Sequence, residues 1–277
     1  MVRKIIQVSD LHIHKTMDNW ENEMYATQLG IFLDKCQEIA KNYEYDEVRI
    51  VICGDLFHNK NNISNDMDIM ASNFIRNLET IAPIRIIAGN HDFNKNNINQ
   101  THTISTFIET HNFSNTLFLD EITNYHSGFI EDDNITWVLY SAFDNFIKPD
   151  LTKYKIEHKD KFYVGLYHDD IVGAKYNNGL EVDCGLDGSA FEECDCVMAG
   201  HIHKRQALRI KGVDIVYSGS LIQQDFGETT TQHGFCLWDV ETQSHEFIDI
   251  PSDYGFYEIE VDCLEDIDNN KIQITNL

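Results

Sequence analysis

Five short segments of this 277-residue chain each place an acid, an imidazole or an amide directly after an apolar run. Asp10 and His12 stand in "SDLHIH", and Gly54, Asp55 and His58 in "GDLFH". Gly89, Asn90, His91 and Asp92 form "GNHD", His168 opens "HDD", and Gly200, His201 and His203 stand in "GHIH". Carboxylate and amide oxygens together with imidazole nitrogens suit hard or borderline divalent ions such as Mn, Fe or Zn. No cysteine lies among them, which argues against a structural zinc site. Taken singly, each segment has an ordinary explanation. Gly, Asn and Asp are common turn residues, and a lone histidine after a strand is more often a satisfied core group. The ordered set D-x-H, G-D-x-x-H, G-N-H-D, H, G-H-x-H is what carries the inference. Asp10 and His12 are two apart, as are His201 and His203, and in extended backbone such pairs point the same way. The glycines mark sharp turns or close approaches.

The elements that must position these groups are legible as apolar runs. Strands are expected at 3–8, 48–53, 84–88, 135–143, 162–167, 194–199, 213–217 and 234–240. Between the first three lie two segments with helical spacing. Met24, Leu29, Phe32, Leu33, Cys36, Ile39 and Ala40 form one stripe; Met67, Met70, Phe74, Ile75, Leu78 and Ile81 form the other, with Pro83 as a stop. A third helix is expected over 101–112. Strand and helix alternate through the first half, which implies a parallel sheet with crossover helices. The second half is strand-dense and suggests a second sheet packed on the first. In open α/β sheets, sites form outside the carboxyl ends of strands, where all five polar segments fall. The Asn-rich stretches "HNKNNISND" and "FNKNNINQ" fit polar loops around such a site.

Composition narrows the class. A 42% hydrophobic chain of this length supports one large α/β domain or two small ones. No apolar run approaches the roughly 20 residues that span a bilayer, and "MVRKIIQVSD" lacks the features of a secretory signal. A cytoplasmic protein without membrane contact is expected. Of seven cysteines none makes a C-x-x-C pair. Cys194 and Cys196 would share one strand face and read as small buried hydrophobes. The net charge of -25 argues against a stand-alone nucleic-acid binder. It leaves room for a nucleic-acid enzyme whose metal ions or partner supply the positive charge.

The ordered motif set resembles the calcineurin-like metallophosphoesterase superfamily over nearly the whole chain, from Asp10 to about residue 250. Within it, "GDLFH" and "YSGSLIQQDFGE" at 217–228 resemble SbcD-type nucleases of double-strand-break repair, including the recombination endonuclease subunit of T-even phages. The resemblance implies an α/β metallophosphoesterase sandwich of two mixed β-sheets flanked by helices. It implies two divalent metal ions, manganese first, with Mg, Fe or Zn as alternatives. Asp10, His12, Asp55 and His203 would hold one ion; Asp55, Asn90, His168 and His201 would hold the other, with Asp55 bridging. His91 would act on the leaving oxygen, Asp92 would accept from the other ring nitrogen of His91, and His58 would lie beside the substrate phosphate. It further implies a DNA exo- or endonuclease working with an SbcC-type SMC-like ATPase.

Two departures from that group accompany the match. SbcD-type chains carry a further capping region, and here "FYEIEVDCLEDI" reads as only its start, so that 1–250 is the nuclease domain and 251–277 a truncated or minimal capping region. The acidic charge is the second departure. A small-substrate phosphodiesterase or phosphatase of the same superfamily is the alternative, and a catalytically silent interaction module is a third reading that an intact ligand set opposes. The stripe Met67, Met70, Phe74 and Leu78 fits either core packing or a homodimer face, and SbcD-type subunits pair through the corresponding helices.

Overall fold

The computed structural model describes residues 1–14, 19–60, 63–95 and 101–256. Two six-stranded mixed sheets pack face to face. The first is built around β1 (Lys4–Val8), β2 (Val48–Cys53), β3 (Ile84–Ile87) and β4 (Thr116–Phe118), all parallel. The crossovers are α1 (Asn19–Ala40), α2 (Asn65–Glu79) and α3 (Thr103–His111), as the alternation requires. The second sheet runs β5 (Gly128–Asp132), β6 (Ile135–Leu139), β7 (Phe162–His168), β8 (Cys196–Gly200), β10 (Val213–Tyr217) and β9 (Gln206–Ile210) in spatial order. Its four inner strands are parallel and its two edges antiparallel. Short helices α4 (Leu119–Ile122) and α5 (Leu151–Glu157) flank β4 and β7 in sequence.

The chain then returns to the first sheet. The strand β11 (Gly234–Asp239) pairs antiparallel with β1, and β12 (Ser244–Asp249) closes that edge. All eight strands expected from the sequence are present, but the last of them belongs to the first sheet, not the second. The central strands β2 and β7 are buried along their whole length, as parallel strands covered on both faces must be.

Three apolar layers result. Ile6, Val8, Ile50 and Ile52 face the helices together with Phe32, Phe74 and Leu78. Ile5, Val51, Trp137, Val164, Met198 and Trp238 fill the space between the sheets. Tyr163, Val197, Phe191 and Ile215 lie beneath the outer face of the second sheet. Cys194 precedes β8 and joins this outer layer, whereas Cys196 faces the inter-sheet core, so the two do not share a face. Both are buried free thiols.

Two polar devices tie the sheets together. Buried Gln7 donates to the Ala199 and Val216 carbonyls at 3.1 and 2.9 Å and accepts from Trp238 Nε1 at 2.8 Å. At the other end, Asp132 accepts from Arg49 Nη2 at 2.8 Å, Arg85 Nε at 2.8 Å and Trp137 Nε1 at 3.1 Å. With both sheets fixed, the carboxyl ends of β1, β2, β3, β7 and β8 open on one edge. Among the described residues, no helix is long and apolar enough to cross a membrane. The stretch 257–277, with most of the expected capping region, lies outside the described residues.

Candidate metal centre

The loops after β1 and β2 run side by side and extend the parallel ladder. Asp10 N donates to the Gly54 carbonyl at 3.2 Å, His12 N to the Asp55 carbonyl at 3.0 Å, and Ile13 bridges Phe57. Asp10, His12 and Asp55 adopt left-handed backbone, with φ of 54°, 46° and 53°. The extended geometry expected for Asp10 and His12 is therefore absent. These two side chains converge because the loop coils at each of them. His201, at φ 94°, departs from extended backbone as well. Positive φ is uncommon outside glycine, though Asp and His tolerate it better than most, and it concentrates where a site over-determines the backbone.

Asp92 holds the turns. Its carboxylate accepts from the amides of Asp55 at 2.8 Å, Gly89 at 2.9 Å and Phe57 at 3.2 Å. Burial and the neighbouring Asp55 push it up to about 7, against the pull of those amides. The expected bond from Asp92 to the His91 ring is not made. The His91 Nδ1 donates instead to the His58 carbonyl at 2.6 Å. A side chain turned inward to satisfy three backbone donors cannot also reach the imidazole of the preceding residue.

All seven expected ligands come together. Asp55 Oδ2 lies 3.7 Å from His12 Nε2 and 3.2 Å from His168 Nε2. His203 Nε2 lies 3.0 Å from His12 Nε2 and 3.8 Å from Asp10 Oδ1. Asn90 Oδ1 lies 2.9 Å from His201 Nδ1 and 3.3 Å from His168 Nε2. The Asp55 and Asp10 carboxylates also accept backbone amides, from His91 at 2.8 Å and from His201 at 3.1 Å respectively. His58 is exposed, with its ring 5.2 Å from that of His91 and 5.3 Å from that of His12.

The far side of each ring decides what it offers the centre. His168 Nδ1 sits 2.6 Å from the Cys53 carbonyl, which can only accept, so Nδ1 donates and Nε2 is the nitrogen that faces the centre. Two glycines wall that contact. A Cβ on Gly200 would stand 2.1 Å from the Cys53 oxygen, and one on Gly54 would stand 2.2 Å from His168 Nδ1. His203 Nδ1 donates to Glu228 Oε1 at 2.5 Å, which likewise turns its Nε2 inward. Glu228 went unrecognised as a site residue in the sequence. It ends the stretch "YSGSLIQQDFGE" that carries part of the resemblance, but an acid 25 residues beyond His203 is too distant to pair with it on spacing alone.

This donor set fits divalent cations. Asp10 and Asp55 are buried carboxylates, and among the described residues no lysine or arginine pairs with either. Two uncompensated buried anions are costly. Positive charge is favoured wherever it can sit. Burial pulls His168 and His203 down, yet Asp55 for the first and Glu228 with Asp10 for the second hold them up at about 10 and about 9. Asp55 is held well below the usual carboxylate range by His168 and His12, despite its burial. Burial keeps His12 and His201 low, and each adjoins another histidine of the set that adds to the effect. Ring nitrogens and carboxylate oxygens face one another across 3–4 Å, so a divalent cation can take the place of the protons that these rings carry without it.

Comparison with known proteins places the chain in a family. A profile described as "Calcineurin-like phosphoesterase superfamily domain" matches residues 4–243. Over 268 residues the chain is 33% identical to an uncharacterized protein of Acanthamoeba polyphaga mimivirus, covering 94% of this chain and 19% of that one. It is 24% identical over 259 residues to SbcD, a component of the nuclease SbcCD, from Staphylococcus saprophyticus, covering 87% of this chain and 66% of that one. The chain thus spans less than two thirds of either relative. Among solved structures, a hypothetical protein of Pyrococcus horikoshii OT3 superposes with a TM-score of 0.47 at 13% identity, covering 91% of this chain and 89% of that chain.

Proposed function

Since the chain belongs to the calcineurin-like phosphoesterase superfamily, we propose that it is a two-metal phosphodiesterase acting on DNA, with manganese as its working ion. One observation carries the two-metal reading. A single oxygen of Asp55 lies between His12 and His168, which belong to different ligand groups. Asp10, His12, Asp55 and His203 hold one ion in this reading; Asp55, Asn90, His168 and His201 hold the other. When bound, such a pair of ions polarises a phosphate and activates water for in-line attack.

The chain's own groups position and protonate. His91 is no ligand in this reading. Its Nδ1 is committed to the His58 carbonyl, which leaves Nε2 to pass a proton to the leaving oxygen. Its backbone amide holds the second oxygen of Asp55 in place. Exposed His58, beside His91, contacts the substrate phosphate. Asp92 acts through the backbone, by pinning the turns that carry Asp55 and Asn90.

DNA as substrate, and an SMC-like ATPase as partner, rest on "GDLFH", on "FGE" and on the likeness to SbcD. The acidic charge favours a partner that supplies the basic DNA-binding surface. The same charge favours the second reading, a small-substrate phosphodiesterase. A homodimer is part of the proposal, but the face shifts. Met67, Phe74 and Leu78 are buried in the protomer's own core. The free side of α2 presents Ile69, 57% exposed, beside a groove of about 440 Å³ lined by Ala26, Leu33 and Asn73.

The deciding experiment compares hydrolysis of single-stranded DNA and of bis-p-nitrophenyl phosphate by the manganese-loaded protein. Cleavage of both supports the nuclease reading. Cleavage of the small ester alone refutes it in favour of the second reading, and inertness towards both refutes phosphodiester hydrolysis.

A further inference from the structure

Beyond the seven ligands, one buried side chain bonds directly to a ligand ring and has no part in the chemistry above. Glu228 is buried with both oxygens engaged. Its Oε1 accepts from His203 Nδ1 at 2.5 Å, and its Oε2 accepts from the Ser220 hydroxyl at 2.8 Å. Ser220 is itself tied to both sides. Its hydroxyl lies 3.1 Å from His233 Nδ1, and its backbone amide donates to the His203 carbonyl at 3.1 Å. Gln223 Nε2 donates to the Glu228 carbonyl at 3.0 Å, which fixes the backbone that presents the acid. Two of these five contacts are made by the carboxylate itself, and the other three hold the hydroxyl and the backbone around it.

The other ligand histidines are backed differently. His168 rests on a neutral carbonyl, His12 Nδ1 is buried with no hydrogen-bond partner, and His201 Nε2 lies 3.8 and 3.7 Å from the Asp169 and Asp170 carboxylates, beyond hydrogen-bond reach. Among the described residues, only on the His203 side does a full negative charge stand behind a ligand ring through a direct hydrogen bond. A carboxylate behind an imidazole fixes its orientation and raises its strength as a donor, and removing such a partner typically costs about 10–100-fold in metal affinity.

We propose that Glu228 is a positioning residue of the centre: it locks the His203 ring with Nε2 facing inward and makes the ion position built on Asp10, His12 and His203 differ in affinity from the one built on Asn90, His168 and His201. The inference rests on the two-metal reading given above. It predicts unequal sensitivity of two positions that share Asp55.

Two measurements test it without using activity. Titration of Mn²⁺ into metal-free protein, followed by the free-ion EPR signal, resolves the binding steps. Glu228→Gln keeps the shape of the side chain and is expected to weaken one step by about 10–100-fold while the other stays within about twofold. Unchanged binding, or equal weakening of both steps, overturns the proposal. In metal-free protein, a low-field imidazole proton correlated to Nδ1 of His203 is expected by ¹⁵N-edited NMR and is expected to vanish in Glu228→Ala. Its absence from the parent protein, or its persistence in the variant, also overturns the proposal. A parent protein that binds no Mn²⁺ refutes the two-metal reading itself, a result distinct from these.

Discussion

Replacing Asp132 separates a buried ionic clasp from ordinary surface charge. Asp132 ends β5 in the second sheet, while Arg49 and Arg85 extend from β2 and β3 in the first. All three side chains are below 10% exposed, at 9%, 7% and 8%. Besides the bonds already described, Arg49 Nε reaches Oδ2 at 3.0 Å, so one carboxylate answers two guanidinium groups. Burial alone would push Asp132 up; Arg49 and Arg85 outweigh it and hold it below its usual range. Removing one partner of a buried pair costs about 3–5 kcal/mol, because the remaining charge is stranded. Two charges are stranded here, so Asp132→Ala is expected at the upper end, about 4–5 kcal/mol. At about 2–4 °C per kcal/mol for a chain of this size, the midpoint falls by roughly 8–20 °C. Asp132→Asn keeps one acceptor oxygen and is expected to cost about 2–3 kcal/mol. Urea unfolding followed by circular dichroism and by tryptophan fluorescence measures these values, and coincident transitions license a two-state fit. The pH dependence carries the same sign. A carboxylate whose folded pKa is depressed contributes stability that is complete above its unfolded value of about 3.9 and is lost as pH falls through the folded value. Wild-type stability should therefore drop below about pH 4 more steeply than that of Asp132→Asn. A loss under about 1 kcal/mol in Asp132→Ala would refute the reasoning, since that is the magnitude of a solvent-screened surface pair.

Four further outcomes are expected. His91→Ala should lose about 10²–10⁴-fold in phosphodiester hydrolysis while retaining its metal by elemental analysis; loss of metal would make His91 a ligand. Asp55→Ala should lose more metal than Asp10→Ala, because its Oδ2 lies near both His12 and His168; equal loss in both counts against the bridge. Gly200→Ala should lower metal content at unchanged α-helical signal, since the new Cβ would meet the Cys53 carbonyl that orients His168; full metal occupancy would show that the loop can yield. Ile69→Glu should convert a dimer into a monomer in sedimentation equilibrium without loss of stability, because Ile69 is exposed; an unaffected dimer places the interface elsewhere.

The inner strands were legible because burial on both faces leaves continuous apolar runs, as in β2 and β7. The strands that escaped notice are β4, β5, β9 and β12. All four are edges of their sheets, and β4 is only three residues long. In "QALRI" and "SHEFID" partly buried and exposed residues interleave, so no apolar run announces them. The residues expected to gather at the centre were legible because strand ends deliver them. The backbone that aims them was not: nothing in "SDLHIH" reveals that Asp10 and His12 both turn left-handed. The contacts of Asp92 are hidden from the sequence for a related reason. Its neighbour in sequence is His91, but its neighbours in space are amides from two turns. Glu228 was missed because a contact made through a long loop leaves no periodic trace.

The return of β11 to the first sheet also sets a timetable. Gln7 in β1 meets its partner Trp238 across 231 residues of chain. At roughly 5–20 residues per second, a ribosome needs on the order of 10–50 s to bridge that interval. Throughout it β1 can pair with β2 on one side while its other side shows an open ladder flanked by Ile5, Ile6 and Val8. An exposed apolar edge is a template for pairing with another chain. The strand that carries Asp10 to the centre is therefore among the first made and the last protected, and the nascent chain is most vulnerable to aggregation until residues 234–239 have been synthesised.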